Sequence, residues 1–281
     1  MLALVLLLAQ IATPAPDAGA SPSPQRLLGM IRAEYRSHRP PPPYETYTLI
    51  RKQLATNGYP DPLGSYTVHI WVRNSDRAAL TRFVYRDDAR GDLTFDRPAF
   101  NEDRDPGPPT ADVFEPAPLR HHPVAEVPTP EPNYTPPPLI GGVRTLLEFD
   151  YTVTSVETVG DQLHLHVEPR RDVDRNRLRE IWCDKNTLEL HKLIATDKLF
   201  DRDAGNHVYA VIFTITMGNV QGLPVVTDLH GVVGKDSNGE QYVGDGQDVD
   251  YQFRDITFPA SLPAWYFDPR TYAQHQNDAP S

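Results

Sequence analysis

The chain has 281 residues, a formal net charge of -11 and one cysteine. Its acidic balance argues against binding to nucleic acid, whose phosphates require clustered Lys and Arg, and against adsorption to an anionic membrane surface. The single cysteine excludes an intramolecular disulfide and leaves a structural zinc site without its usual thiolates. The length suffices for one large β domain or two small ones.

Residues 1–20 are interpreted as a cleavable secretory signal. An almost unbroken apolar run, Leu2–Ile11, precedes Ala18 and Ala20, which fit an A-x-A cleavage site before Ser21. A buried N-terminal helix is the alternative, but Pro14 and Pro16 would end it early. The apolar run is also well short of the roughly 20 residues that a membrane span needs. No cysteine follows the cleavage site to accept a lipid. We therefore expect an exported protein, periplasmic or secreted, that is soluble and has no membrane span in its mature form.

An amphipathic helix is predicted from Gln25 to Ser37. Pro24 stands where a helix can start, and the run Pro40–Pro43 ends it. The apolar residues of this segment recur at helical spacing and would share one face. They are Leu27, Leu28, Ile31 and Tyr35.

From Tyr44 onward the apolar residues recur with a period of two, which is typical of strands with one buried face. The predicted strands are Tyr44–Leu54, Tyr66–Arg73, Leu80–Arg86, Leu93–Pro98, Leu163–Glu168, Leu178–Cys183, Leu188–Leu199, Val208–Met217, Val225–Val233 and Val249–Phe258. A turn-rich segment, Ala55–Pro62, predicts a hairpin between the first two. No helical pattern long enough for a βαβ crossover separates the strands, so we expect an antiparallel sheet.

Residues 101–142 hold 12 of the 29 prolines, and proline cannot supply the donors of a strand ladder. This segment could link two domains. We interpret it as an excursion from one sheet, because the strands on both sides share length and pattern. Residues 21–271 are thus predicted to form one domain, followed by a polar, disordered tail from Tyr272 to Ser281.

Sequence motifs of the commonest enzymes are absent: there is no Gly-rich phosphate loop, no His-Glu-x-x-His and no Gly-x-Ser-x-Gly. Cys183 ends a predicted strand, where a small apolar residue is ordinary. His164 and His166 project from one face of a strand and could chelate a metal with a third ligand from a neighbouring strand. The alternative, which the alternation with Leu163 and Leu165 favours, is that both histidines face solvent. We predict no catalytic residue, no metal and no cofactor.

In the strand Val208–Met217 both alternating sets of side chains are largely apolar, which predicts that the strand is covered on both faces. This surplus of apolar faces suggests a curved sheet whose concave face needs a plug or a ligand. A two-layer sandwich with a filled interior is an equally weighted alternative.

Two segments carry a family resemblance. In the hairpin Leu178–Leu193, an apolar-Trp-x-Asp strand end leads through a turn to Thr, at Ile181, Trp182, Asp184 and Thr187. The closing strand Tyr251–Pro259 is followed by Leu262-Pro and by Phe267-Asp-Pro269. These features resemble the periplasmic lipoprotein-carrier superfamily that includes LolA, LolB and RseB. The resemblance implies a half-barrel of about eleven strands around short helices, with an apolar cavity for the acyl chains of lipoproteins.

The expected fold is mainly β, a single antiparallel curved sheet with an N-terminal amphipathic helix. The expected function is non-enzymatic binding or carriage of lipid or lipoprotein acyl chains in the periplasm. An envelope sensor that binds partner proteins on the same sheet is the alternative, and a hydrolase using strand-end carboxylates or histidines is a third. The predicted cavity lining comprises Tyr66, Val68, Ile70, Phe83, Tyr85, Leu165, Phe213 and Phe253.

Overall fold

In the computed structural model, the described residues are 22–38, 42–54, 65–75, 78–87, 91–99, 147, 150–171, 177–201, 207–242, 248–275 and 278. The predicted signal, the hairpin turn at 55–62 and the proline-rich segment 101–142 lie outside them. Within this part of the chain, no helix is both long enough and apolar enough to cross a membrane.

Eleven strands of the described chain form one sheet in which all neighbours are antiparallel. They are β1 Tyr44–Leu54, β2 Tyr66–Arg73, β3 Ala78–Asp87, β4 Gly91–Ala99, β5 Tyr151–Val159, β6 Gln162–Pro169, β7 Leu178–Asp184, β8 Leu190–Asp201, β9 His207–Val220, β10 Leu223–Asp236 and β11 Asp248–Thr257. The predicted fold class, a curved antiparallel half-barrel, is confirmed.

The strand order is β4-β3-β2-β1-β11-β10-β9-β8-β7-β6-β5. Two meanders, β1 to β4 and β5 to β11, therefore join where β1 pairs with β11. The edge strands β4 and β5 are consecutive in the chain, so the strands on both sides of residues 101–142 belong to the same sheet.

Local sequence fixes the tight turns of this sheet. Between β9 and β10, Gln221 and Gly222 have φ of 55° and 79°, the left-handed pair that matches the twist of a two-residue hairpin. The side chain of Asn219 closes the turn by accepting the Gly222 N–H at 2.9 Å. From this turn β9 and β10 pair antiparallel along most of their length, with register shifts between Val226 and Asp228 and between Val233 and Asp236.

Helix α1, Pro24–Ser37, begins where the sequence predicts. The Ser23 hydroxyl accepts the Arg26 N–H at 3.4 Å, and Pro24 occupies the first turn, where its missing N–H costs nothing. The buried face is the predicted one: Leu27, Leu28, Ile31 and Tyr35. We call the face of the sheet that packs with these residues the concave face and the opposite one the convex face.

A second, smaller apolar cluster lies on the convex face. Trp71 of β2 and Leu80 of β3 pack there with Tyr266 and Phe267 of a short 3-10 helix, Ala264–Phe267. Trp71 alternates with Ile70 and Val72, which belong to the concave core, so it projects to the other side.

The chain stays ordered beyond the predicted start of the disordered tail. Helix α2, Pro269–His275, includes Tyr272 and the residues up to His275. The His275 ring stacks on Trp265 with centroids 5.0 Å apart and an interplanar angle of 13°. An aromatic partner therefore extends the ordered structure past the point at which polar composition predicts its end.

The prediction that β9 is covered on both sides is wrong. Its concave residues are buried from Tyr209 to Met217, but Val208 is 36% exposed and Ile212 is 46% exposed. Because α1 packs on the opposite face of the sheet, the alternate side chains of β9 face solvent. Ala210 is exposed on this face too.

Candidate functional site

The concave face carries an apolar cluster that runs across the sheet from β2 through β1 and β11 to β5 and includes the buried face of α1. Five predicted lining residues belong to it, namely Val68, Ile70, Leu165, Phe213 and Phe253, each at most 5% exposed. Tyr66 is partly buried and packs against the same cluster. Phe83 and Tyr85 lie on β3, and their side chains fall outside the described part of the chain. Ligand contact by these residues stays a prediction.

Arg51 is a charged residue on the concave face that the sequence did not single out. Arg51 lies on β1, directly opposite Tyr66 of β2 and Tyr251 of β11. Its side chain is on the same face of the sheet as that of Leu49, two residues earlier. Its guanidinium carbon lies 5.7 Å from the centroid of the Tyr66 ring and 5.6 Å from that of Tyr251. Two aromatic rings thus hold a cation beside the apolar cluster.

Two further contacts fix the direction of the Arg51 side chain. Its Nε donates to the Tyr251 hydroxyl at 3.3 Å, and Nη2 donates to Gln53 Oε1 at 2.5 Å. A guanidinium offers five donors in a planar fork that matches carboxylate or phosphate oxygens. The concave face therefore combines apolar surface with a guanidinium, which is a group suited to an anion.

No protein-family model matches the chain. No curated protein matches it either. Among solved structures, it is similar to a LolA superfamily protein from Nitrosomonas europaea, with 12% identity and a TM-score of 0.40 over 86% of this chain and 98% of that one. That structure belongs to the superfamily that the sequence resembles. Two structures of MucB with MucA, one of them from Pseudomonas aeruginosa, have 11% and 14% identity and TM-scores of 0.20, over 85% of this chain and 100% of theirs.

The residues that carry the sequence resemblance have a structural role in the β7–β8 hairpin. Asp184 Oδ1 accepts the backbone N–H groups of Asn186 and Thr187 at 2.7 Å each and the Thr187 hydroxyl at 3.2 Å. These bonds stabilise a turn in which Leu188 adopts a φ of 63°. The Asp and Thr of the motif thus shape a hairpin, and neither lies at the apolar face.

Acid should weaken this hairpin. The backbone N–H groups of Thr187 and Asn186 lower the pKa of Asp184 below its usual 3.8, and these bonds outweigh the opposing effect of burial. Because the folded pKa lies below the unfolded one, the carboxylate stabilises the fold above the unfolded pKa, and this contribution is lost as pH falls through the folded pKa. We expect Asp184→Asn to lower the thermal midpoint at pH 7, with the gap to the wild type narrowing below about pH 4. Thermal melts of both proteins from neutral to acid pH measure this difference in midpoint. A difference that stays constant with pH would contradict the role given to the Asp184 carboxylate.

Cys183 is fully buried, and burial raises the pKa of its thiol to about 12, with the neighbouring Asp184 charge adding to the rise. Only a thiolate is an effective nucleophile. At neutral pH this thiol is protonated and shielded, so its environment fits a packing residue of β7.

Three groups of histidine and carboxylate side chains come together among the described residues. Two combine one histidine with two carboxylates: His207 with Asp236 and Glu240, and His230 with Asp248 and Asp250. The third contains both histidines that the sequence singled out, His164 and His166, together with Glu180.

The expectation that both of these histidines face solvent is wrong for His164. Both lie on the convex face, yet His164 is only 8% exposed because the Trp182 ring stacks on it at 3.8 Å with an interplanar angle of 16°. His166 is half-buried. The alternation along β6 predicts the correct face for both histidines, but it does not reveal that the Trp182 indole of β7 covers His164.

Proposed function

We propose that the protein is a non-enzymatic, exported binding protein that holds the acyl chain of a lipid or lipoprotein against its concave face. The observation that carries this proposal is the extent of the apolar concave face compared with α1, the long helix that packs on it in the described part of the chain. Export rests on the signal-like residues 1–20.

The sheet is too wide for α1 to cover. Eleven strands about 4.8 Å apart span roughly 48 Å along the curve. A helix of 14 residues is about 21 Å long and 10 to 12 Å wide, so it covers less than half of that width in any orientation. The apolar cluster nevertheless continues through β1, β2 and β11, where its side chains are already buried, so an acyl chain would take the place of the groups that cover them.

An acyl chain has the chemistry to complement such a face. Each methylene removed from water contributes about 0.8 kcal/mol, so ten of them contribute about 8 kcal/mol before the entropy of association is subtracted. The proposed contacts are the predicted lining residues, Tyr66, Val68, Ile70, Phe83, Tyr85, Leu165, Phe213 and Phe253. The partner is thus a lipid or lipoprotein chain.

Arg51 would hold the polar end of this ligand. Its guanidinium lies between two tyrosine rings beside the apolar cluster, where an anionic headgroup or carboxylate could accept from it. A ligand with an acyl chain and an anionic end therefore fits better than a neutral one.

The proposal is tested with protein purified from its source compartment. Native mass spectrometry should show a co-purifying lipid, and delipidated protein should bind the fluorescent fatty acid cis-parinaric acid and melt at a higher temperature with it. Lipid-free protein without a lipid-induced shift in melting temperature would overturn the proposal. A protein partner that is retained after delipidation would favour the sensor alternative instead.

Two variants locate the binding face. Arg51→Met keeps much of the side-chain length but removes the charge, so it should weaken binding of parinaric acid about ten-fold and leave the binding of its methyl ester nearly unchanged. Arg170, exposed just after β6, provides the matched control as Arg170→Met, which should change neither affinity. Equal effects of the two variants would place the ligand away from Arg51.

A further inference from the structure

The convex face of β6 and β7 carries a cluster of two imidazoles and one carboxylate: His164, His166 and Glu180. His164 Nε2 lies 2.9 Å from Glu180 Oε2, and the two histidine ring centroids are 4.2 Å apart. One ligand atom from each residue lies within 4.8 Å of the other two. We propose that this cluster binds a divalent transition-metal ion, with Zn²⁺ as the best fit.

Strand register brings these side chains together. His164 and His166 stand two residues apart on β6 and so project from the same face. His166 pairs directly with Glu180 of β7, and His164 pairs with Trp182. Directly paired side chains on adjacent strands have Cβ atoms about 4.5 to 5.5 Å apart, and diagonal ones remain within reach. The ladder thus holds all three ligands without help from a loop.

The donor set selects the kind of ion. Imidazole nitrogen and carboxylate oxygen suit Zn²⁺ at about 2.0 to 2.2 Å, whereas Ca²⁺ and Mg²⁺ prefer oxygen alone. Tetrahedral bonds of that length place ligand atoms about 3.3 Å apart. His164 Nε2 and Glu180 Oε2 are 2.9 Å apart and no pair of ligand atoms is more than 4.8 Å apart, so small side-chain rotations close the site. Three protein ligands leave a fourth position for water or another donor.

Trp182 supports the ligands from β7. Its ring stacks on His164 and fixes the imidazole plane, and its Nε1–H donates to Glu180 Oε2 at 3.3 Å. Groups that orient metal ligands in this way raise metal affinity. The Lys192 ammonium lies 4.0 Å from the centre of the Trp182 ring, and it comes from β8, on the side of β7 away from the histidines. The indole therefore separates the lysine charge from the metal position.

The other two clusters are weaker candidates because each offers one imidazole. Asp236 already accepts the backbone N–H groups of Asn238 and Glu240 at 2.9 and 2.8 Å in its hairpin. His230 and Asp250, at 2.6 Å, are both about two-fifths exposed and form an ordinary surface pair. His230 therefore serves as the matched control.

Isothermal titration of tag-free, chelator-treated full-length protein with Zn²⁺ alone tests the proposal. We expect one equivalent to bind, His166→Ala to weaken affinity by at least about ten-fold, and His230→Ala to leave it unchanged. Glu180→Gln should also weaken binding, and it leaves in place the buried His164 side chain, whose truncation could prevent folding. Circular dichroism confirms that the variants are folded.

Spectroscopy separates a defined site from surface adsorption. X-ray absorption of the zinc-loaded protein should show two imidazole ligands, and His166→Ala should remove one. No zinc binding, or binding that survives His166→Ala and is lost in His230→Ala, would overturn the proposal. The site lies on the opposite face from the proposed acyl-chain site, so either result leaves the lipid experiments independent.

Discussion

Replacing Leu28 by alanine should lower the free energy of unfolding by about 2 to 5 kcal/mol. Leu28 lies on the buried face of α1 and is completely inaccessible to solvent. Truncation removes apolar surface from the contact between helix and sheet and leaves a cavity that neighbouring side chains refill only in part. Urea denaturation followed by circular dichroism measures the change.

The same helix supplies the control. Met30 is 40% exposed, so Met30→Ala should alter the free energy of unfolding by no more than about 0.5 kcal/mol. Similar costs for the two variants would mean that α1 contributes little to the core. A fluorescent apolar dye should bind more strongly to Leu28→Ala, because a loosened helix exposes the concave cluster.

Sequence period was sufficient to predict the main elements. The spacing of Leu27, Leu28, Ile31 and Tyr35 identified α1, and the alternating pattern identified β1 with its observed bounds, Tyr44–Leu54. These signals are local, since a side chain's face follows from its position within one helix or strand. The antiparallel pairing followed from the absence of crossover helices, and the single sheet followed from the similar strands on both sides of residues 101–142.

Strand β5 was missed because its period is broken. Its register against β6 shifts between Val153 and Ser155, which is a β-bulge. Tyr151 and Val153 precede the irregularity, and Val156 follows at the opposite parity, so the apolar residues do not alternate. A search for period two therefore passes over residues 151–159.

The two candidate sites depend on pairing between strands, which the sequence does not display. Arg51 meets Tyr66 and Tyr251 only through the registers of β1 with β2 and β11. Glu180 likewise reaches the histidines through the β6–β7 register. The sequence supplied the histidine pair but could not supply its third ligand. An arginine at an inward position of an alternating strand was the signal that could have identified Arg51.

Gly231→Ala should lower the free energy of unfolding by about 1 to 3 kcal/mol, even though alanine is ordinarily the better strand residue. Gly231 of β10 pairs directly with Phe213 of β9. A Cβ atom at position 231 would lie 2.8 Å from Phe213 Cε1 and 3.1 Å from its Cδ1. The Phe213 ring is only 5% exposed within the concave cluster, so it cannot move aside without displacing its neighbours.

A double-mutant cycle separates this steric conflict from any effect of the backbone. In a Phe213→Leu background the ring edge is gone, so Gly231→Ala should cost well under half as much as it does in the wild type. An equal cost in both backgrounds would show that the contact with Phe213 is not the cause.

Because Phe213 is one of the proposed ligand contacts, Gly231→Ala should also weaken the binding of parinaric acid, and it should weaken the binding of the methyl ester to the same extent. Parallel losses are expected since displacing an apolar ring changes the fit of the acyl chain and leaves the contact of Arg51 with the anionic end intact.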